Sequence, residues 1–150
     1  MELKLPPVVV FLIFVGLMNV VGNFLPVGYF DFFGRWALAA VLLVAAFVLG
    51  LVSLLQFHRS KTSIDPMHPQ KITKLVTSGV YQFTRNPMYL ALLLVLLAVG
   101  LYFGNAFNTL TAAAFVGYMN RFQIIPEERI LLEKLGKPYK QYCLMVRRWF

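Results

Sequence analysis

Two short stretches concentrate the residues able to do chemistry. The first is Arg85-Asn86-Pro87-Met88-Tyr89, entered through Gly79-Val80-Tyr81. Asn followed by Pro suits the cap and first position of a helix. The exposed amides of such a helix start attract an anion such as a carboxylate. Arg85 stands just before the cap, and Tyr89 one turn inside. The second stretch is Pro126-Glu127-Glu128, which with Glu133 holds half of the six acidic residues in a chain of net charge +8. A carboxylate taken out of water is costly unless paired or hydrogen-bonded. Arg85, Arg121 or Arg129 could pair with one glutamate and make it purely structural. Alternatively, one carboxylate accepts hydrogen bonds from the ribose hydroxyls or the ammonium group of a cofactor. The first stretch has its own plain alternative, an ordinary helix start with an arginine and a tyrosine at a membrane interface.

Other reactive groups form no pattern. His58 and His68 have no third ligand at metal-site spacing, so no metal is expected. The serines and threonines lie in no nucleophile elbow, and no glycine-rich phosphate or dinucleotide loop occurs. Cys143 is the single cysteine, which excludes an intramolecular disulfide, and seven residues follow it, which excludes a C-terminal prenylation box. Asn19 and Asn23, four apart, read as hydrogen-bonding glue between helices.

The elements that must position these residues are apolar. The chain has 150 residues, of which 59% are hydrophobic and only 13% charged, with a mean hydropathy of +0.71. Soluble domains carry roughly twice that charged fraction. Residues 36–55 include no charge over a length able to cross a ~30 Å hydrocarbon core as a helix. The fold class is therefore all-α: an integral membrane helical bundle of about four transmembrane helices, over residues 8–25, 35–57, 87–103 and 106–124. A polar loop, 58–86, and a C-terminal segment, 126–150, complete a single domain, 1–150. Gly104-Asn105 is a tight turn between neighbouring helices. The N-terminus resembles no cleaved signal peptide, since no small-x-small pattern follows its apolar core.

The loop at 58–86 holds Arg59, Lys61, Lys71, Lys74 and Arg85, and the C-terminal segment holds Arg129, Lys134, Lys137, Lys140, Arg147 and Arg148. The Gly104-Asn105 turn holds none. By the positive-inside rule both termini and the 58–86 loop are expected to be cytoplasmic, in the inner or plasma membrane if the source is bacterial. The basic charge then serves topology and anionic lipid headgroups, and nucleic-acid binding is not expected. The C-terminal segment reads as helix, break, helix. Pro126 opens the first with Glu127 and Glu128 in its first turn, and Gly136 and Pro138 stop it. The second, residues 139–147, carries Tyr139, Tyr142 and Val146 on one face at helical spacing, as an interfacial helix should.

Together, the stretches around Arg85-Asn86-Pro87-Met88-Tyr89 and Glu127-Glu128, with Gly136-Lys137-Pro138-Tyr139, Tyr142 and Arg147-Arg148, resemble the two signature regions of the isoprenylcysteine carboxyl methyltransferase family. That broad group of integral-membrane methyltransferases also resembles phospholipid N-methyltransferases. The resemblance implies an enzyme that uses S-adenosylmethionine and releases S-adenosylhomocysteine, acting on a lipophilic acceptor that arrives from the bilayer. An isoprenylcysteine carboxylate is what the family name implies, or another apolar acid or thiol. Carried onto this chain, the cofactor set is Tyr81, Arg85, Asn86, Pro87, Tyr89, Glu127, Glu128, Tyr139 and Tyr142, with Arg85, Glu128 and Arg147 at the chemistry. Asn86 stands where the family has a histidine, so a mechanism needing a titrating base at that position is not expected. Val146-Arg147-Arg148 lacks the family's proline before the arginine. A different class of function fits the same residues: a non-catalytic structural or lipid-binding membrane protein that keeps the fold. Oligomeric state is not legible.

Overall fold

The computed structural model describes residues 3, 5–25, 27–59 and 75–150. His68, Lys61, Lys71 and Lys74, and with them most of the expected 58–86 loop, lie outside the described residues. The described chain is largely helical and membrane-associated in character. Helices α1 (Pro7–Phe24) and α2 (Arg35–Arg59) are each long and apolar enough to cross a bilayer. A 3-10 turn, Gly79–Gln82, leads into α3 (Pro87–Phe103), and α4 (Phe107–Met119) follows the Gly104-Asn105 turn. Gly104 ends α3 in the left-handed region at φ 61°. A side chain there would run into the Arg35 guanidinium, so this turn requires glycine. It also pairs with the α1–α2 connection: Phe30 N–H donates to the Gly104 carbonyl at 2.8 Å, and Ala106 N–H to that of Gly28 at 2.8 Å.

Pro126, expected to open a helix, does not begin a separate one. Helix α4 continues through one π-helical turn, Asn120–Ile124, into α5 (Ile125–Leu135). Proline inside a helix lacks an N–H and its ring crowds the carbonyl four residues back. The π turn accommodates both problems, because Ile125 N–H reaches back five residues to the Asn120 carbonyl and the ladder widens beneath Pro126. Glu127 and Glu128 are therefore inside a continuous helical path rather than at a free helix start. Helix α6 (Lys137–Met145) follows at Gly136, and Val146 is extended at φ −121°, ψ 132°. The second terminal helix thus stops two residues short of the expected 147.

Helices α1, α3 and α4 enclose the main core, in which Met18, Leu96, Phe115, Met119 and Ile124 are fully buried. Helix α2 packs on α3 through small residues. Ala39, Ala46 and Ser53 are its buried positions, and a Cβ at Gly50 would stand 3.7 Å from that of Ala91. Small residues let helix backbones approach where lipid competes with side-chain burial. The outer face of α2 exposes Val41, Val44, Phe47, Val48 and Leu51. Such a face suits hydrocarbon, not water.

Candidate functional site

The site is assembled where the start of α3 meets α5, α6 and the chain end. Gly79 adopts φ +62°, and any side chain there would overlap the Gln56 amide. The glycine brings the turn onto α2, where Val80 N–H donates to Gln56 Oε1 at 3.3 Å. Tyr81 then meets Phe57 edge-to-face, ring centroids 5.2 Å apart, and its carbonyl accepts from the Tyr142 hydroxyl at 2.7 Å. Tyr139, Tyr142 and Val146 do pack together as their spacing indicated, against Leu75, Leu131 and Leu135.

Residues 84–86 are laced to the extended chain end. Arg85 N–H donates to the Arg147 carbonyl at 3.0 Å. The Thr84 hydroxyl and the Asn86 amide both donate to the Arg148 carbonyl, at 3.2 and 3.0 Å. Asn86 therefore occupies the cap position of α3 without capping it by its side chain, contrary to the sequence expectation. Its Nδ2 is committed to the Arg148 carbonyl, and its Oδ1 makes no bond to the helix amides. The start of α3 is left with no side-chain cap.

The two adjacent glutamates have opposite surroundings. Glu128 is held by Arg148 through two bonds, Nε–Oε1 at 3.0 Å and Nη2–Oε2 at 2.6 Å, and by Arg85 Nη2 at 3.2 Å. Arg85 also touches the Cys143 thiol through Nη1. The bidentate bond to Glu128 keeps Arg148 protonated above even its ordinary range. Glu127 has no cationic partner among the described residues. Its carboxyl accepts from the Tyr89 hydroxyl at 2.5 Å. Burial, with a further push from the Glu128 charge, outweighs that hydrogen bond and raises its pKa from 4.5 to about 8. Burial also lifts the Tyr81 and Tyr139 phenols well up and that of Tyr142 to about 12, so all three remain hydrogen-bond donors at neutral pH.

Between these groups lies a cavity of about 800 Å³, counting the space at its open mouth. Tyr81, Arg85, Asn86, Pro87 and Tyr89 line one side, and Glu127, Glu128, Tyr139 and Tyr142 the other. The nine residues selected for cofactor binding thus share one wall-to-wall space. Arg147 does not join them: its side chain is exposed and is not among the lining residues. Successive side chains of an extended segment point to opposite sides, and in the stretch after Val146 it is Arg148 that turns toward Glu128. Phe57, Leu75, Val76, Met88 and Leu131 complete the lining and carried no motif signal. Among the described residues no cluster of His, Cys, Asp or Glu could hold a metal.

The family model for phospholipid methyltransferases matches residues 34–138. The chain belongs to the phospholipid methyltransferase family. The matched span runs from the start of α2 to the start of α6 and so contains both glutamates and the whole start of α3. An uncharacterized protein of Haemophilus influenzae is 47% identical over 62 residues, which is 41% of this chain and 98% of that relative. No solved structure matches. Family membership and the apolar helices together describe a methyltransferase-like protein of the membrane. They stop at the phospholipid methyltransferase family and its relatives, short of the narrower isoprenylcysteine carboxyl methyltransferases.

Proposed function

We propose that the protein is a membrane methyltransferase that binds S-adenosylmethionine in the α3–α5–α6 cavity and methylates a lipophilic acceptor entering from the bilayer. The observation that carries this is Glu127, a carboxyl facing the cavity that has no cationic partner among the described residues, beside a glutamate that has two. The cofactor offers what such a wall lacks, an ammonium or ribose hydroxyls for Glu127 and a carboxylate for the uncapped start of α3. The cavity lining is mostly aromatic and apolar with a few converging polar groups, the make-up of a small-molecule site. When bound, the cofactor supplies an electrophilic methyl group on a sulfonium. Phe57, Tyr81, Tyr139 and Tyr142 supply aromatic walls that exclude water and suit a cation. Arg85 and Arg148 fix Glu128, and the salt-bridged block sets the angle at which α5 presents Glu127.

An acid or thiolate acceptor, such as an isoprenylcysteine carboxylate, is already anionic and asks the protein mainly for alignment. An amine acceptor must also lose a proton. Asn86 cannot take it, but Glu127 titrates near 8 in the empty-handed pairing with Tyr89, within the range useful to a general base. That favours a second reading, an amine-bearing lipid. In the proposed topology the four helical spans, 8–25, 35–57, 87–103 and 106–124, put both walls of the site on the cytoplasmic side, where the cofactor is available.

Calorimetry with S-adenosylhomocysteine tests the proposal. Wild-type protein should bind it, and Glu127→Gln should weaken binding about tenfold or more, as loss of a charged hydrogen-bond partner does. Well-folded wild-type protein that takes up no S-adenosylhomocysteine would overturn the reading in favour of a non-catalytic role.

A further inference from the structure

A second cavity lies at the other end of α3. It measures about 630 Å³ with its open mouth and is bounded by α2, α3, α4 and the Gly104-Asn105 turn. Tyr89 and Gly100, one in each cavity lining, are separated along α3 by roughly 16 Å at 1.5 Å per residue. Its walls are apolar, with Leu38, Leu42, Leu96, Leu97 and Leu101 in the lining. Three polar residues interrupt them, Asn105, Asn108 and Thr109, and of these Asn108 stands apart. This side chain is 1% exposed, lines the cavity, and has no hydrogen-bond partner for either Oδ1 or Nδ2 among the described residues.

The neighbouring Asn105 lines the same cavity and makes the comparison direct. Its Nδ2 donates to the carbonyls of Leu25 and Val27, and its Oδ1 accepts from Phe107 N–H, so Asn105 is spent on the turn. The Asn108 side chain has no such partner among the described residues. An orphaned buried amide costs roughly 1–3 kcal/mol, and leucine would fill the same space without that cost. Leu38 on α2 and Thr109 on α4 both line the cavity and are exposed, on the flank that faces lipid if these helices span the bilayer.

We infer that this cavity is a binding site for a neutral single-chain amphiphile whose hydroxyl group pairs with the Asn108 amide. A hydroxyl both donates and accepts, which matches one amide oxygen and one amide nitrogen. An ionised headgroup is excluded by the wall, which carries no charged residue and would leave that charge unpaired. The tail lies along the leucines and leaves past Leu38 and Thr109 into the bilayer. The site rests on the membrane reading of α2–α4, and not on methyl transfer.

The test is a melting midpoint measured on detergent-solubilised full-length protein with and without 1-monooleoylglycerol. The methyl ester of oleic acid serves as the control that lacks a hydroxyl. Wild-type protein should melt a few degrees higher with the monoacylglycerol, and should not respond to the ester. Asn108→Leu should melt higher than wild type without additive and show no response to either. Leu42→Trp, which obstructs the cavity and keeps Asn108, should also abolish the response. Both variants should still bind S-adenosylhomocysteine like the wild type, which separates this site from the one under Glu127. Equal shifts in wild type and Asn108→Leu, equal shifts with ester and alcohol, or no shift at all would each overturn the inference.

Discussion

The two halves of the molecule are held together differently. In the first, α1 and α2 present an apolar surface on nearly every side. The side-chain hydrogen bonds within α1 and α2 are local, such as Asn23 to the Asn19 carbonyl and Ser53 to that of Gly50. In the second, residues 75–89 and 119–150 are tied across long sequence separations. Tyr142 bonds to Tyr81, Asn86 to Arg148, Glu128 to both Arg85 and Arg148, and Trp149 Nε1 to Asn120 Oδ1 at 2.9 Å. A helix in hydrocarbon gains little from hiding leucine, because lipid tails are as apolar as leucine. Close backbone approach through small residues serves there. At the polar end, water competes for every group, and a network cross-linked over long sequence separations fixes the cavity walls. The Trp149 bond shows how far this goes, since it anchors the chain end on the π turn that admits Pro126.

The largest effect should come from cutting the centre of the polar half. Glu128→Ala leaves Arg85 and Arg148 facing each other without their shared carboxylate. Removing one partner of a buried ion pair costs roughly 3–5 kcal/mol, and the partial exposure of Arg148 argues for the lower end. The melting midpoint in detergent should fall by several degrees, and S-adenosylhomocysteine binding should be lost with it. A variant as stable as wild type would mean that the clasp is ornamental and that apolar packing holds both halves alike. Arg148→Lys sharpens the point: it keeps the charge, loses the two-pronged geometry, and should fall between the two.

A smaller and pH-dependent effect should mark Glu127. Its pKa is raised from 4.5 to about 8, so between those values the folded protein holds a proton that the unfolded chain has released. Stability without ligand should therefore fall as pH rises through this window, by at most about 1.4 kcal/mol per pH unit, and level off above it. Below the window both states are protonated and the group contributes nothing. Glu127→Gln should flatten the profile from pH 5 to 8 and be the more stable protein at pH 8. A cationic ligand requires the ionised carboxylate, so its binding to wild type should strengthen with pH across the same window and release a proton. Identical pH profiles for wild type and variant would place the titrating group elsewhere.

The same contrast explains which features could be read in the residues. Helix α3 lies at its expected bounds, and the Gly104-Asn105 turn and the α2 span follow from apolar runs and from a position that only glycine tolerates. Nine of the fourteen residues around the cavity were legible because they stand in two motif stretches, and the apolar remainder was not. What side chains do once there was not legible. Glu127 and Glu128 are 100° apart around a helix, so adjacent identical residues necessarily meet different neighbours, and only the fold says which one meets arginine. Arg147 and Arg148 differ by the alternation of an extended strand. Asn86 has ideal chemistry for a cap, and is diverted by a carbonyl 62 positions away. Pro126 looked like a beginning because a π turn leaves no mark in periodicity.

The smallest expected effect lies on the outer face of α2. Val44 is exposed to 63% on a helix whose buried positions, Ala39, Ala46 and Ser53, all turn toward α3. Val44→Ala removes two methyl groups from a mostly exposed side chain, and lipid or detergent chains can fill the space they leave. Helix propensity favours alanine by a few tenths of a kcal/mol. Stability in the same detergent should stay within about 0.5 kcal/mol of wild type. Leu96→Ala, on the fully buried face of α3, should cost roughly 2–5 kcal/mol because a cavity opens that the surroundings cannot refill. The ratio of the two costs measures how completely α2 faces the bilayer. If Val44→Ala proves as damaging as Leu96→Ala, the outer face of α2 is covered by protein, and a second copy of the chain becomes the natural cover for it. A monomer in lipid requires the two costs to stay far apart.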